Sequence, residues 1–245
     1  MEDGSGKPSR VLLKLSGEVL AGPPGKGFHP ETVSKIARIL IEAVNTGVQL
    51  GVVTGGGNFA RGRELATFTR TRADYIGMLA TVMNCLAVSD VVNRHGGMSA
   101  VLSALPVPQA GAEEFAPTRA EELFNQGNIV FFAGGTGNPL LSTDTAAALR
   151  AAQTRCSVLF KGTKVDGVYD SDPKLNPKAE RYSRLTFNQV LAKDLKVMDA
   201  AAVAVCRDNN LPIVVFDVTR PENFLRVLED NTLGTVLEGE ETGNV

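Results

Sequence analysis

Between Ile129 and Asp144 the chain reads Ile-Val-Phe-Phe-Ala, then Gly134-Gly135-Thr136-Gly137-Asn138-Pro139, then Leu140-Leu141-Ser142-Thr143-Asp144. The five apolar residues predict a buried strand, the glycines permit a sharp turn, and Ser142, Thr143 and Asp144 supply oxygens that can cap a following helix. A strand that passes through a glycine loop into a helix start belongs to α/β folds. The free N–H groups at such a start favour phosphate. A second loop, Gly55-Gly56-Gly57-Asn58, follows another apolar stretch, Gln49 to Thr54. Two such loops at strand ends predict one crevice for a ligand rich in phosphates.

The remaining segments fit the same plan. Val11 to Leu15 reads as a strand that stops at Ser16-Gly17, and Lys14 interrupts its apolar run. A lysine in a buried strand needs an anion or open solvent, so Lys14 is expected to point into the crevice rather than to snorkel from a sheet edge. Pro30 to Asn45 carries apolar residues at helical spacing, with Gly47 as a stop. Arg61, Arg63 and Thr69 to Arg72 form a cationic region leading into a helix from about Asp74 to Asn93, with Asp74 in its first turn. Met98 to Ser103 predicts a short strand and Glu113 to Pro117 a loop. Thr118 to Gln126 predicts a helix with Thr118 and Glu121 as a capping box. Ser157 to Lys161 is the next strand, and like the first it ends on a lysine.

Asp166-Gly167 within Lys164 to Tyr169 suggests a hairpin, followed by an exposed loop through Asp170, Asp172 and Pro173. Thr186 to Ala192, with Thr186 and Gln189 as a capping box, and Met198 to Asn209 are helical. Pro212 to Asp217 is a core strand, Thr219 and Glu222 cap another helix, and Gly234 to Leu237 adds an edge strand. The alternation predicts a three-layer α/β sandwich, a mainly parallel sheet covered by helices on both faces. We expect one domain over residues 10–238 between flexible tails at 1–9 and 239–245.

Composition removes several function classes. The formal charge of −2 and the scattered lysines and arginines give no basic stripe for nucleic acid. No apolar run is expected to span a membrane, and Met1 to Arg10 has no signal-peptide character. Cys85, Cys156 and Cys206 form no paired framework, which argues for reduced thiols and a cytoplasmic setting, with Cys85 and Cys206 in the core. His29 and His95 are too few for a zinc cluster, and no metal-ligating residues are assigned.

The set Lys14-Leu15-Ser16-Gly17, Gly55 to Asn58 with Arg61, Gly135 to Pro139, Lys161 to Val168 and Lys196-Val197-Met198-Asp199 resembles the bacterial uridylate (UMP) kinases of the amino acid kinase family, over nearly all of Arg10 to Leu237. The resemblance implies transfer of the ATP γ-phosphoryl group to UMP, with Mg²⁺, in a homohexamer, and with GTP and UTP as possible effectors. Lys14, Leu15, Ser16 and Gly17 match the ATP phosphate motif, and Gly57 and Arg61 match further phosphate contacts. Thr163, Tyr169 and Asp172 match the part that cradles the rest of ATP. Gly56, Asp74, Thr136, Gly137, Asn138, Pro139, Leu140, Leu141, Ser142 and Thr143 match the UMP site. Asp74 is thereby implied to hold the ribose rather than only to complement a helix dipole. Gly22 to Gly27 matches an effector segment. Gln153 and Ser157 stand where relatives usually carry acidic residues, and Gly162 often replaces an alanine.

Transfer between two phosphates is chiefly a matter of holding anions together and stabilising charge on the moving group. Lys14 and Lys161 are expected to clamp the transferring oxygens, Arg61 to offset repulsion, and Asp144 to orient a lysine or a metal-bound water. Asp199 is a secondary candidate. Two alternatives remain: a kinase of the same fold that phosphorylates a carboxylate or carbamate, and a nucleotide-binding sensor without turnover.

Overall fold

In the computed structural model, which describes residues 8–60, 65–173, 175–195 and 197–239, nine strands form one sheet. In chain order the elements are β1 (Arg10–Leu15), α1 (Gly17–Leu20), α2 (Pro30–Asn45), β2 (Gln49–Thr54), α3 (Arg70–Arg94), β3 (Ser99–Ser103), β4 (Ala112–Glu114), α4 (Pro117–Asn125), β5 (Ile129–Ala133), α5 (Thr143–Gln153), β6 (Val158–Thr163), β7 (Arg184–Thr186), α6 (Phe187–Ala192), α7 (Ala200–Asp208), β8 (Ile213–Asp217), α8 (Asn223–Glu229) and β9 (Thr235–Glu238). The strand order is β4-β3-β5-β2-β1-β6-β8-β9-β7, and only β8 with β9 is antiparallel.

Strands buried on both sides read as near-continuous apolar runs, and β1 is of this kind apart from Arg10 and Lys14. Val11, Leu13 and Leu15 pack into one apolar cluster with Val33, Ile36 and Leu40 of α2 and Val88 of α3. Leu12 enters a second cluster with Ala147 and Ala148 of α5 and Val203 of α7. The expected three-layer α/β sandwich is therefore present. β1 lies between β2 and β6, so Lys14 is not an edge residue. The chain leaves β1 toward β2 and later passes to β6 on the other side. That reversal opens a crevice at the C-terminal ends of the central strands.

Several expectations need correction. Thr118 and Glu121 form no capping box: Ala116 precedes α4 without a side-chain bond. Glu121 instead receives Arg10 in a bidentate pair, with Nη1 at 2.8 Å and Nη2 at 2.9 Å. Nor do Thr219 and Glu222 cap α8 through their side chains; Glu222 pairs with Lys35 Nζ at 2.6 Å. In both cases a long-range ion pair takes the carboxylate from a local bond. Asp166-Gly167 makes no hairpin. Its glycine serves close packing, since a Cβ there would lie 2.4 Å from Thr235 Oγ1, and Tyr169 bridges Arg181 instead. The segment expected as a loop from Glu113 begins within β4, a three-residue strand too short to show periodicity. β9 is not at the edge, because β7, a strand of three residues, lies outside it.

Helix α3 starts at Arg70, ahead of the expected Asp74, and no acidic residue sits in its first turn. By length and composition alone it could cross a membrane, with a mean hydropathy of 1.6 over its most apolar window. Half of that window is buried inside the molecule, as in a core helix. Of the expected tails, Pro8, Ser9 and Gly239 are described, and Ser9 O accepts from Gln49 N at 3.0 Å. Residues 1–7 and 240–245 lie outside the described residues.

Arg150 of α5 is 6% exposed, with its guanidinium 3.9 Å from the centre of the Phe115 ring. Its Nη1 donates to Gln153 Oε1 at 2.6 Å, and no carboxylate pairs with it among the described residues. Burial pulls its pKa down to about 10. Gln153→Glu would turn a neutral acceptor into a charged one, and we expect it to stabilise the fold by about 1 kcal/mol. A urea unfolding midpoint that does not rise would refute this.

Candidate active site

Lys14 and Lys161 are direct register partners across β1 and β6. They face the layer that contains α5, because Leu12 and Leu159, two residues before each, pack there. Helix α5 begins with Ser142 as its N-cap, whose Oγ accepts from Asp144 N at 2.9 Å and Thr145 N at 3.3 Å. This places the Asp144 carboxylate between the lysines, with Lys14 Nζ at 2.9 Å from Oδ1 and Lys161 Nζ at 2.5 Å from Oδ2. Lys161 Nζ also donates to the Val197 carbonyl at 2.5 Å.

Burial alone would push the Asp144 carboxyl up, but the charges of Lys14 and Lys161 outweigh it and hold the group below the usual carboxylate range. Burial shifts Lys161 the other way, below the ordinary lysine value, and Asp144 offsets part of that. Asp144 Oδ1 is buried and accepts no hydrogen bond among the described residues. Lys14 Nζ, 2.9 Å away, supplies the positive charge that faces it. Asp199 caps α7 by accepting from Ala202 N at 2.9 Å, and it also accepts from Thr145 Oγ1 at 2.8 Å and from Ser142 Oγ. It ties two helix starts together and holds neither lysine by a hydrogen bond.

Two cavities border this centre, one through Lys161 and the other through Ser142 and Thr143, which precede Asp144. One of about 740 Å³ is lined by Ser16, Lys161, Thr163, Tyr169, Asp172 and Leu195, among others. Across its walls Lys164 Nζ reaches Glu18 Oε2 at 2.6 Å, joining the end of β6 to α1. The other, of about 580 Å³, is lined by Gly56, Gly57, Phe68, Asp74, Gly135 and Leu141 to Thr143, among others. Gly57, expected with the ATP residues, thus borders the second cavity. Leu15 has its side chain in the core and gives its carbonyl to Gly55 N at 2.9 Å. Gly17 is required by close packing, since a Cβ there would lie 2.3 Å from Gly55 O.

Thr136 to Leu140 stand beside the second cavity as a turn. Thr136 Oγ1 donates to Asn138 O at 3.0 Å and accepts from Asn138 N at 3.1 Å. Gly137 has φ +80°, and Leu140 adopts φ +71°, uncommon for a residue with a branched side chain. Leu140 N donates to Asp74 Oδ2 at 2.8 Å, so Asp74 holds the loop rather than standing free at a helix start. Arg61 and Arg63, and Lys196 of the quoted motif, lie outside the described residues. Lys164 and Val197 lie within the quoted motifs without an assigned role, and Glu18 carries no local pattern. The sequence reading did not find Thr81 and Asn84, polar interruptions of an apolar helix that could have signalled them.

The comparisons with known proteins fit this geometry. The family model described as "Amino acid kinase family" matches residues 9–217. A protein named "Uridylate kinase" from Zymomonas mobilis subsp. mobilis is 52% identical over 235 residues, 95% of this chain and 97% of its own length. A crystal structure of UMP kinase from Bacillus anthracis is 34% identical, covers 96% of this chain and 97% of its own, and superposes with a TM-score of 0.92. One of uridylate kinase from Archaeoglobus fulgidus is 30% identical, covers 93% and 99%, and has a TM-score of 0.70. With its sheet order, its two lysines on adjacent central strands and these matches, the chain belongs to the amino acid kinase family.

Proposed function

We propose that this chain transfers the γ-phosphoryl group of ATP to the phosphate of UMP, giving ADP and UDP for pyrimidine nucleotide biosynthesis. The observation that carries the reading is the convergence of Lys14 and Lys161 on Asp144, with Lys161 lining one cavity and Thr143, the neighbour of Asp144, lining the other. The names of the relatives supply the substrates. ATP is read into the larger cavity, on Lys14, Leu15, Ser16 and Gly17, with Thr163, Tyr169 and Asp172 along its walls and Gly57 and Arg61 at the phosphates. UMP is read into the smaller one, on Gly56, Asp74 and Thr136 to Thr143. The acceptor needs no strong base, because a phosphate monoester with a second pKa near ~6 is already largely dianionic at neutral pH. Lys14 and Lys161 then stabilise negative charge on the moving group.

Mg²⁺, when bound with ATP, neutralises phosphate charge. Mg²⁺ keeps much of its water and leans on substrate phosphates, so the ion is read as carried mostly by phosphate oxygens. Asp144, between the two lysines, is the carboxylate that would receive a metal-bound water. We further read residues 10–238 as one domain, the setting as cytoplasmic, and the active form as a homo-oligomer, a hexamer by resemblance. The exposed Leu79 and Met83, one turn apart on α3, support association of copies. GTP or UTP would act through Gly22 to Gly27, where Gly27 N donates to Asn58 O at 3.0 Å.

ADP release measured with UMP, CMP, dTMP and acetylglutamate tests the reading. Turnover is expected with UMP, with no product trapped by hydroxylamine. A trappable acyl phosphate, or no turnover with UMP, would overturn it.

A further inference from the structure

We propose that Thr81 and Asn84 of α3 are positioning residues for this reaction: through them one helix fixes the spacing of the backbone loops around the phosphates. The inference rests on the functional reading above for the chemistry and on the following geometry for the positioning.

Thr81 is 2% exposed and Asn84 fully buried, on an inner face otherwise built from Met78, Val82, Cys85 and Val88. A buried polar side chain lowers stability unless its hydrogen bonds are made, so an apolar residue would serve the core better. Here the bonds leave the helix for the loops. Thr81 Oγ1 donates to Met78 O at 2.7 Å and accepts from Gly134 N at 2.9 Å, at the point where β5 turns into its glycine loop.

Asn84 Nδ2 donates to Gly55 O at 2.7 Å and to Asn58 Oδ1 at 2.8 Å. Asn58 Nδ2 returns a bond to Asn84 Oδ1 at 2.9 Å and reaches Gly27 O at 2.9 Å. The two amides form a closed pair in which all four N–H groups are used. The carbonyl that Asn84 holds, Gly55 O, is the one against which Gly17 packs. Gly56 lies directly on α3, since a Cβ there would be 2.7 Å from Gly77 O.

Thr81 and Asn84 are three positions apart and so share one helix face. A rigid helix thereby sets Gly134 on one side against Gly55 and, through it, Gly17 on the other. Phosphoryl transfer depends on such spacing, because a misplacement of about 1 Å can lower a rate by roughly 10²-fold.

Thr81→Val keeps the shape and removes the hydroxyl, whereas Thr81→Ser keeps the hydroxyl and removes a methyl. The test combines steady-state kinetics with amide hydrogen exchange of residues 134–141. We expect Thr81→Val to lower kcat/KM for UMP by roughly tenfold or more, with Thr81→Ser within about twofold of the parent. Exchange should quicken in Thr81→Val and not in Thr81→Ser. Asn84→Leu should lower kcat/KM for ATP and UMP together, because Gly55 packs against Gly17 of the ATP phosphate motif and precedes Gly56, which lines the smaller cavity.

A packing role would make Ser worse than Val, and that result overturns the proposal, as does parental exchange and activity in Thr81→Val. Absence of UMP turnover in the parent protein would instead defeat the functional reading, and the exchange comparison would still decide the positioning claim.

Discussion

Lys161→Ala is expected to lower kcat by about 100-fold or more while the protein stays folded, the loss typical for a preorganised donor aimed at charge that develops in the transition state. Lys161 lines the larger cavity, and its Nζ is fixed from two sides, by Asp144 Oδ2 and by the Val197 carbonyl. An ammonium so held needs no rearrangement when charge spreads over the moving phosphoryl group. Because the bond strengthens in the transition state, kcat and kcat/KM should fall together. Lys161→Gln, which retains a donor for the Val197 carbonyl but no charge, separates structure from electrostatics. It should recover the thermal stability of the Ala variant and little of its rate. A folded Lys161→Ala protein with parental kcat would remove Lys161 from the mechanism.

Asp144→Asn is the second large effect, and it appears first in stability. The side chains of Lys14 and Lys161 are 12% and 11% exposed, and the carboxylate between them is 15% exposed. Taking one partner from a buried ionic group typically costs on the order of 3–5 kcal/mol, since uncompensated charge remains. The variant should melt at lower temperature, and inorganic phosphate or ATP should raise its Tm more than that of the parent, because an added anion takes the place of the carboxylate.

The pH dependence has a definite sign. The folded-state pKa of Asp144 is lowered by the two lysines against the effect of burial. Its contribution is therefore present above the unfolded carboxylate value, about 3.9, and disappears as pH falls through the folded pKa. The stability gap between parent and variant should be full at pH 7 and close in acid. Equal melting temperatures at pH 7, with equal responses to phosphate, would show that Asp144 does not neutralise the lysines.

Much of this architecture is written locally. Fully buried strands such as β1, β2 and β5 are continuous apolar runs, and α2 has both its spacing and Pro30 at its start. The lysines were legible because each breaks such a run. What local pattern does not carry is choice between partners far apart in the chain. Glu121 has the spacing of a capping box with Thr118, yet Arg10, 111 residues away, binds it. Asp74 looks like a helix-start acid and instead receives Leu140 N, 66 residues away. Asn84 could pass for an imperfection in an apolar helix until Gly55 and Asn58 are brought beside it.

The pairing of β1 with β6 has one more consequence. Lys14 and Lys161 are neighbours on a hydrogen-bonded ladder, so their backbones keep the interstrand distance of a parallel sheet, about 4.8 Å. Inserting or deleting one residue early in β6 would swing that ammonium onto the opposite side of the sheet, towards Phe216 and Phe224, and carry the Phe160 ring the other way. The geometry of the charges and the integrity of the interior are thus one property: a change of phase in that strand could not abolish catalysis and spare the fold.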